Sequence, residues 1–491
     1  MIKYPEGILF KASDRKVLRS IRLPQKNYFP DLLFLILLLA VTIIVTYYVP
    51  GPFANIWYIF TLVLYSFSRN EALWLAFYLA TVDGVMGLMG LYSLTLHLLP
   101  GLPGIELAQL YIIIALIKAA RSGFRPQVFY SRYIQVLFFY VLFLIAWGQS
   151  SGFTGSLNAY FRVLKLVLPL SLFYSLPRLF TDIKHYERFF GLIFFLFLSG
   201  FATQIFSLLS GIVPFSSKIE NQELFSEPGS FRGFYNVAST LISFFAALTY
   251  FSMPGQKAFS KIILYIVIPA VLGMAVISAT RGWIIGLGII ILLQFIFMIN
   301  IRRTEVLWLG LFVAVIVIAG LSDPRIKEQL AFSKERLLTL GSLAEGDITA
   351  DKTLGRMDVR SPAVMKVWKE QPLFGCGFSD TFWKYGDGHV GNQNVLLMSG
   401  ITGFLLLTGF LFYTGYKMTE RYLVTRRRRR ANPALIIFPV FLMGWFVIHS
   451  TSGQQFGFSG LPLNIIPLAV FFSFGAMLYQ LSKKVQNGRQ I

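Results

Sequence analysis

The sequence predicts an all-α protein, a polytopic transmembrane helical bundle of fourteen spans, and three observations predict it. Charged residues make up 14% of the 491 and apolar ones 55%, with a mean hydropathy of +0.64, whereas a soluble domain carries about 25% charged residues. Such a chain cannot cover its surface with polar groups in water and must use lipid as solvent for much of it. The apolar residues also gather in stretches close to the ~20 residues that cross a bilayer. Finally, the lysines and arginines fall in alternate loops, as the cytoplasmic bias of short loops requires.

Taken in order, the spans are expected near 31–49, 54–68, 71–93, 104–120, 133–149, 158–177, 187–212, 234–252, 261–280, 282–299, 305–321, 392–416, 433–450 and 460–482. The segment 1–30 carries Lys3, Lys11, Arg15, Lys16, Arg19, Arg22 and Lys26. The apolar run after it is too long for a signal-peptide core and lacks a small-residue cleavage site, so this segment is expected to stay on the chain in the cytoplasm. Alternation then places Arg121, Arg125 and Arg132 inside, with Lys184 and Arg188, Lys257 and Lys261, and Arg302 and Arg303. The run Arg426 to Arg430 and the tail 483–491 fall inside too, while the loops near 50–53, 94–103, 150–157 and 451–459 hold no lysine or arginine. The net charge of +21 thus reads as topology anchoring against anionic membrane lipids, not as a nucleic-acid surface. A single cysteine, Cys376, excludes an intramolecular disulfide and a cysteine-based metal site.

The spans divide into 31–321 and 392–482, and between them 322–391 forms one long loop expected outside, with ten basic and ten acidic residues. Asp323-Pro324 and Ser361-Pro362 each put a capping side chain before a proline suited to the first helical position. The second of these helices is expected to run to Gln371 and stop at Pro372, with Val364, Val367 and Trp368 on one face and Lys366 and Glu370 opposite. The loop therefore reads as a structured cap.

Five cations are expected at this outer side against the general charge bias: Arg162 and Lys165 early in the sixth span, Arg232 where the eighth begins, Arg281 at the turn from the ninth to the tenth, and, when protonated, His389 where the long loop re-enters the membrane. A charge within a span costs at least about 2.5–3.5 kcal/mol unless it is paired or lines a wet cavity. Arginine can grip two phosphate oxygens at once without ever losing its charge, so a cluster of them suits a pyrophosphate. A histidine beside them can serve as general base, the more so because neighbouring cations hold its pKa down. The plainer alternatives are an interfacial arginine anchored on lipid phosphate and a structural histidine.

Residues 355–406 contain Gly-Arg-Met-Asp-Val-Arg, then Trp-Lys-Glu-Gln-Pro-Leu-Phe-Gly-Cys-Gly-Phe, then His-Val-Gly-Asn-Gln-Asn-Val-Leu-Leu-Met-Ser-Gly-Ile-Thr-Gly-Phe-Leu-Leu. This resembles the signature of the O-antigen ligase/polymerase superfamily, with its Pro-hydrophobic-hydrophobic-Gly-x-Gly turn and a helix beginning Gly-Ile-x-Gly. Ser278-Ala-Thr-Arg-Gly-Trp and Arg232-Gly-Phe-Tyr-Asn are similar to two further elements, so the resemblance covers residues 200–420. One departure is that Val390-Gly391 separates His389 from Asn392, where the family often has the two side by side.

The resemblance implies a GT-C-like, metal-independent inverting glycosyltransferase of the bacterial inner membrane, without cofactor and with its active site facing the periplasm. Its donor would be an oligosaccharide on undecaprenyl pyrophosphate. Arg281 and Arg232, with Arg162 and Lys165 nearby, would hold the pyrophosphate, and His389 would activate the acceptor hydroxyl. Such chemistry needs no metal, since the leaving group is good and arginines supply the charge stabilisation. The acceptor would be a growing glycan in a polymerase, with a chain-length regulator as a further partner, or a lipid A core or protein in a ligase; the polymerase is the preferred expectation. Asp358 and Asp387 flank the motifs and read as solvated. The rival class is a lipid-linked glycan flippase, for which Asp83, inside the third span, is the best support. The absence of two related halves in the sequence weighs against it.

Overall fold

A computed structural model of the chain describes residues 28–83, 94–96, 104–212, 237–252, 258–297, 310–311, 322–347, 356–427 and 432–486. The expected eleventh span, the loop arginines Arg302 and Arg303, and the site residue Arg232 lie outside them. Helices stand at the positions of the other thirteen expected spans, the third described only as far as Asp83. Among the described residues, seven helical stretches are long and apolar enough to cross a membrane, and four shorter apolar helices accompany them. The protein is an all-α membrane protein.

The chain opens with α1 (Tyr28–Tyr48), α2 (Gly51–Phe67) and α3 (Glu71–Asp83). Every residue of α3 is buried, which explains its lack of a polar face: a helix surrounded by protein needs none. A two-stranded antiparallel ribbon, β1 (Thr95–Leu96) with β2 (Ile105–Glu106), leads into α4 (Leu107–Arg121). Near the end of α4, Lys118 meets Glu71 at 2.6 Å and donates to the carbonyls of Tyr65 and Ser68, so this buried charge is fully paired and also closes the end of α2.

Next come α5 (Ser131–Ser150), α6 (Leu157–Val167) and α7 (Leu172–Leu179). The last two together form one stretch, Leu157–Leu179, at the place of the expected sixth span. Pro169 has no N–H to continue the ladder, and the chain passes through a 3₁₀ turn, Leu168–Ser171, between them. Then α8 (Ile183–Ser210) begins four residues before the span expected there, so Lys184 and Arg188 sit on its first turns and not in a loop. It is followed by α9 (Val237–Phe251), α10 (Ala258–Ile277) and α11 (Arg281–Phe297).

Within 322–391, the described residues 322–347 and 356–391 contain helices, as expected, but the details differ. Asp323 caps α12 (Pro324–Leu338), accepting from the N–H groups of Arg325 and Ile326. After α13 (Gly341–Ala344), a π turn at Arg356–Arg360 runs straight into α14 (Ser361–Trp368). Ser361 is therefore the first helical residue and does not cap, and the helix stops three residues before Gln371. The expected faces hold: Val364 is buried, while Lys366 and Glu370 are exposed. A further short helix, α15 (Asp380–Tyr385), had no signal in the sequence.

The chain ends in α16 (Gly391–Arg427), α17 (Ala434–Thr451) and α18 (Pro462–Gln486). These form the centre: 83% of the α18 span and 67% of α17 are buried, against 22% for α1 and α5 at the periphery. Phe438 and Phe471 stack at 4.1 Å between α17 and α18, and Phe245 of α9 meets Phe471 edge-on at 4.7 Å. α11 and α17 approach closely because Gly286 and Gly444 face each other. A Cβ on Gly286 would lie 2.5 Å from Ile448 and 2.9 Å from the Gly444 carbonyl, the small-residue contact that lets membrane helices touch backbone to backbone.

Candidate functional site

α16 is broken at Gly400, whose φ of 62° and ψ of −172° only glycine tolerates. The segment 371–378 fills the break. Ile401 and Thr402 donate to the carbonyls of Pro372 and Leu373 at 2.9 and 3.1 Å, and the carbonyls of Leu397 and Met398 accept from Cys376 and Gly377 at 2.8 and 2.9 Å. The kink thus exchanges hydrogen bonds along one helix for four bonds to a neighbouring loop. Gly375 and Gly377 adopt positive φ here, and a Cβ on Gly375 would press on the Leu397 carbonyl at 2.5 Å. α5 closes the other side: Trp147 donates to the Gly375 carbonyl at 2.8 Å, Tyr140 to the Ser399 carbonyl at 2.6 Å, and Phe378 donates to the Leu144 carbonyl at 3.2 Å. The Pro-Leu-Phe-Gly-Cys-Gly turn and the Gly-Ile-Thr-Gly helix, two pieces of one sequence pattern, are therefore physically interlocked. Cys376 is buried in the interlock, its thiol pushed up to about 11 by burial.

His389 sits at the head of α16, exposed, on a turn held from several directions. Its N–H donates to Asp387 Oδ1 at 2.8 Å, and the Asp387 N–H donates to Asn394 Oδ1 at 3.0 Å. Arg360 approaches Asp387 Oδ2 at 3.4 Å, so Asp387, expected to be simply solvated, fastens the turn to the π turn before α14. The Gly388 carbonyl accepts from the N–H of Gln454 at 2.6 Å, and Asn394 donates to the Gln454 side chain.

Those contacts lead to the end of α17, and from there to Arg281. Gly391 packs on the carbonyl of His449, Asn392 donates to Ser450 at 3.0 Å, and Gly282 packs on the hydroxyls of Thr451 and Ser452. Arg281, the first residue of α11, is 6% exposed. Its Nε donates to the Arg336 carbonyl at 2.6 Å and its Nη2 to Thr339 Oγ1, closing the C-terminus of α12. α12 in turn caps two other helices: Gln329 and Ser333 donate to the carbonyls of Ile277 and Val276 at the end of α10, and Arg325 donates to Leu209 at the end of α8.

On the opposite flank, the exposed Arg162 lies over the ring of Trp383 in α15, 5.3 Å from its centroid. Lys165 approaches the Phe161 ring, and its carbonyl accepts from Gln109 of α4. The structure thus brings His389, Arg281 and Arg162 to one end of the bundle through continuous contacts, with Lys165 a turn beyond Arg162. It also shows Arg281 buried and engaged with α12, a placement different from an open phosphate-binding arginine.

Sequence reasoning missed the polar stretch His449–Gln455. Here His449 Nδ1 accepts from the N–H groups of Gln455 and Phe456 at 2.9 and 3.3 Å, which places its ring proton on Nε2. The signal was present as seven hydrogen-bonding or glycine residues without a charge at the end of an apolar span. Asp83 resolves differently from its transporter reading. Its carboxylate accepts from the N–H groups of Ala238 and Ser239 at 2.9 and 2.8 Å and from the Ser239 hydroxyl. It caps the start of α9 from another helix, supplying acceptors to the orphan N–H groups there.

No group of three or more His, Cys, Asp or Glu side chains suited to a metal ion occurs among the described residues. No protein-family model matches the chain, and no curated protein matches its sequence.

Proposed function

We propose that this protein is a membrane glycosyltransferase that moves a glycan from undecaprenyl pyrophosphate to an acceptor hydroxyl at the outer face of the bacterial inner membrane. The observation that carries the reading is the interlock at Gly400. It joins the two halves of the family-like pattern by backbone hydrogen bonds, and at the head of the same helix Asp387, Asn394 and Gln454 brace the turn that carries an exposed His389. A general base must be fixed in place yet open to substrate, and His389 meets both conditions.

In this reading the chain crosses the membrane fourteen times with both termini in the cytoplasm, and 322–391 faces the periplasm. Arg162, Lys165 and Arg232 meet the pyrophosphate. Arg281 acts chiefly as a positioning residue that anchors α12 over the same end of the bundle. The preferred acceptor is a growing polysaccharide; a lipid A core would use the same donor chemistry. The flippase reading loses its best support, since Asp83 serves as a helix cap.

The test is transfer by the purified chain in liposomes, with lipid-linked oligosaccharide and either acceptor, chelator present throughout. His389→Ala should lower transfer by about 10²–10⁴-fold, the usual contribution of a general base, while donor binding persists. Wild-type transfer by His389→Ala would remove the residue from the mechanism. Movement of the donor across the bilayer with no product would replace the enzyme by a transporter.

A further inference from the structure

A cavity of about 640 Å³ opens between α4, α5, α6, α7, α16 and α18. Its wall is almost wholly hydrocarbon, with Leu137, Leu164, Phe173, Leu411 and Phe472 among the lining side chains. The volume falls within the ~300–1,000 Å³ range of pockets that bury a small-molecule ligand. Two features say what kind of molecule enters. First, it opens through helices that face lipid: Phe138 and Leu164 line the cavity and are more than half exposed, and α5 is among the least buried spans. Second, two arginines adjoin lining residues. Ala120 lines the cavity and Arg121, exposed, follows it at the end of α4; Tyr174 lines it, and the Arg178 guanidinium lies over that ring at 3.6 Å. Neither arginine pairs with a carboxylate among the described residues.

We infer that this cavity is a binding site for an anionic diacyl phospholipid, one acyl chain in the apolar cavity and the phosphate against Arg121 and Arg178. A hydrocarbon chain is the only abundant molecule with access through a lipid-facing opening. Two guanidiniums near the opening, each able to contact two phosphate oxygens, select a headgroup with net negative charge over a zwitterion. The site is independent of the glycosyltransferase reading, sharing no residue with the His389 turn.

The experiment uses the full-length chain carrying Phe173→Trp in phosphatidylcholine vesicles, containing at equal mole fraction either phosphatidylglycerol or phosphatidylcholine brominated on its acyl chains. None of the tryptophans among the described residues lines the cavity, and the difference from the protein without the new tryptophan reports this site. Brominated phosphatidylglycerol should be enriched at the reporter by about tenfold or more, as two arginines facing one phosphate imply. Arg121→Gln with Arg178→Gln should bring the two lipids to equal quenching. Equal quenching with both arginines present, a comparison that needs no second substitution, would show that bulk hydrocarbon fills the cavity and overturn the inference. Loss of phosphatidylglycerol quenching on adding equimolar undecaprenyl phosphate would overturn it too, assigning the cavity to the prenyl carrier.

Discussion

Replacing Gly400 by alanine should unlock the loop that carries Cys376, and the native thiol can report it. The φ of 62° with ψ of −172° costs a non-glycine residue about 1–3 kcal/mol. A Cβ there would also fall on the Leu373 carbonyl and the Phe374 nitrogen, so the loop must back away. That motion strains the four backbone bonds joining residues 372–377 to Leu397, Met398, Ile401 and Thr402, each worth about 0.5–1.5 kcal/mol net. Even the low ends of these ranges together favour the open form by about 3 kcal/mol, a hundredfold in its population. Cys376 is 4% exposed in the closed form, with its thiol pushed up to about 11, and it is the only cysteine. Once open it should behave as a free thiol with pKa about 8.5, the reactive thiolate accessible near pH 8. Maleimide labelling of the purified protein at fixed pH should therefore run at least about a hundredfold faster in Gly400→Ala. Gly415→Ala on the same helix, where a Cβ would make ordinary contacts at 3.8 Å, should label at the wild-type rate. A folded Gly400→Ala protein labelled as slowly as wild type would refute the interlock.

Asp83→Ala should lower stability by about 1–2 kcal/mol, the usual cost of losing a helix cap, read as a lower temperature of thermal inactivation in detergent. Arg281→Lys should expose residues 322–347 to protease, since an ammonium cannot hold both the Arg336 carbonyl and Thr339 in the fork's geometry; unchanged cleavage would mean that α12 does not depend on this anchor. Arg360→Gln should cost at most about 1 kcal/mol in a melting curve, because its bridge to Asp387 is 3.4 Å long and half open to solvent. The raised Cys376 pKa makes a prediction of sign. Burial favours the neutral thiol, so its contribution to stability is whole below the free-thiol pKa of about 8.5 and is lost as pH rises through about 11. Wild-type melting temperature should fall across that window more steeply than that of Cys376→Ala.

The spans were legible because burial in lipid and burial in protein both demand apolar side chains over a fixed length, and helix after helix begins within a few residues of its expected place. Pro324 behind Asp323 announced α12 in the same direct way. What periodicity could not reveal depends on partners distant in the chain. Nothing near Gly400 says that residues 371–378 will enter the helix, because those bonds form only between segments that meet after folding. Asp83 looked like a functional charge because its cap lies on α9, and Arg281 looked available because its acceptors lie on α12. The polar end of α17 carries no lysine, arginine or carboxylate, so neither the charge bias of loops nor the cost of a charge within a span marks it in the sequence.

Asp83 also sets a timetable for synthesis. Its acceptors wait for an N–H group 155 residues later in the chain, which the ribosome reaches roughly 8–30 s afterwards at ordinary elongation rates. Until then α3 stands at the insertion machinery with a carboxylate whose hydrogen bonds do not yet exist, an exposure that costs a few kcal/mol in hydrocarbon. A chain halted before residue 237 should consequently hold α3 only weakly and be cleared by membrane proteases. Completion of α9 becomes the step that commits the first third of the protein to the bilayer.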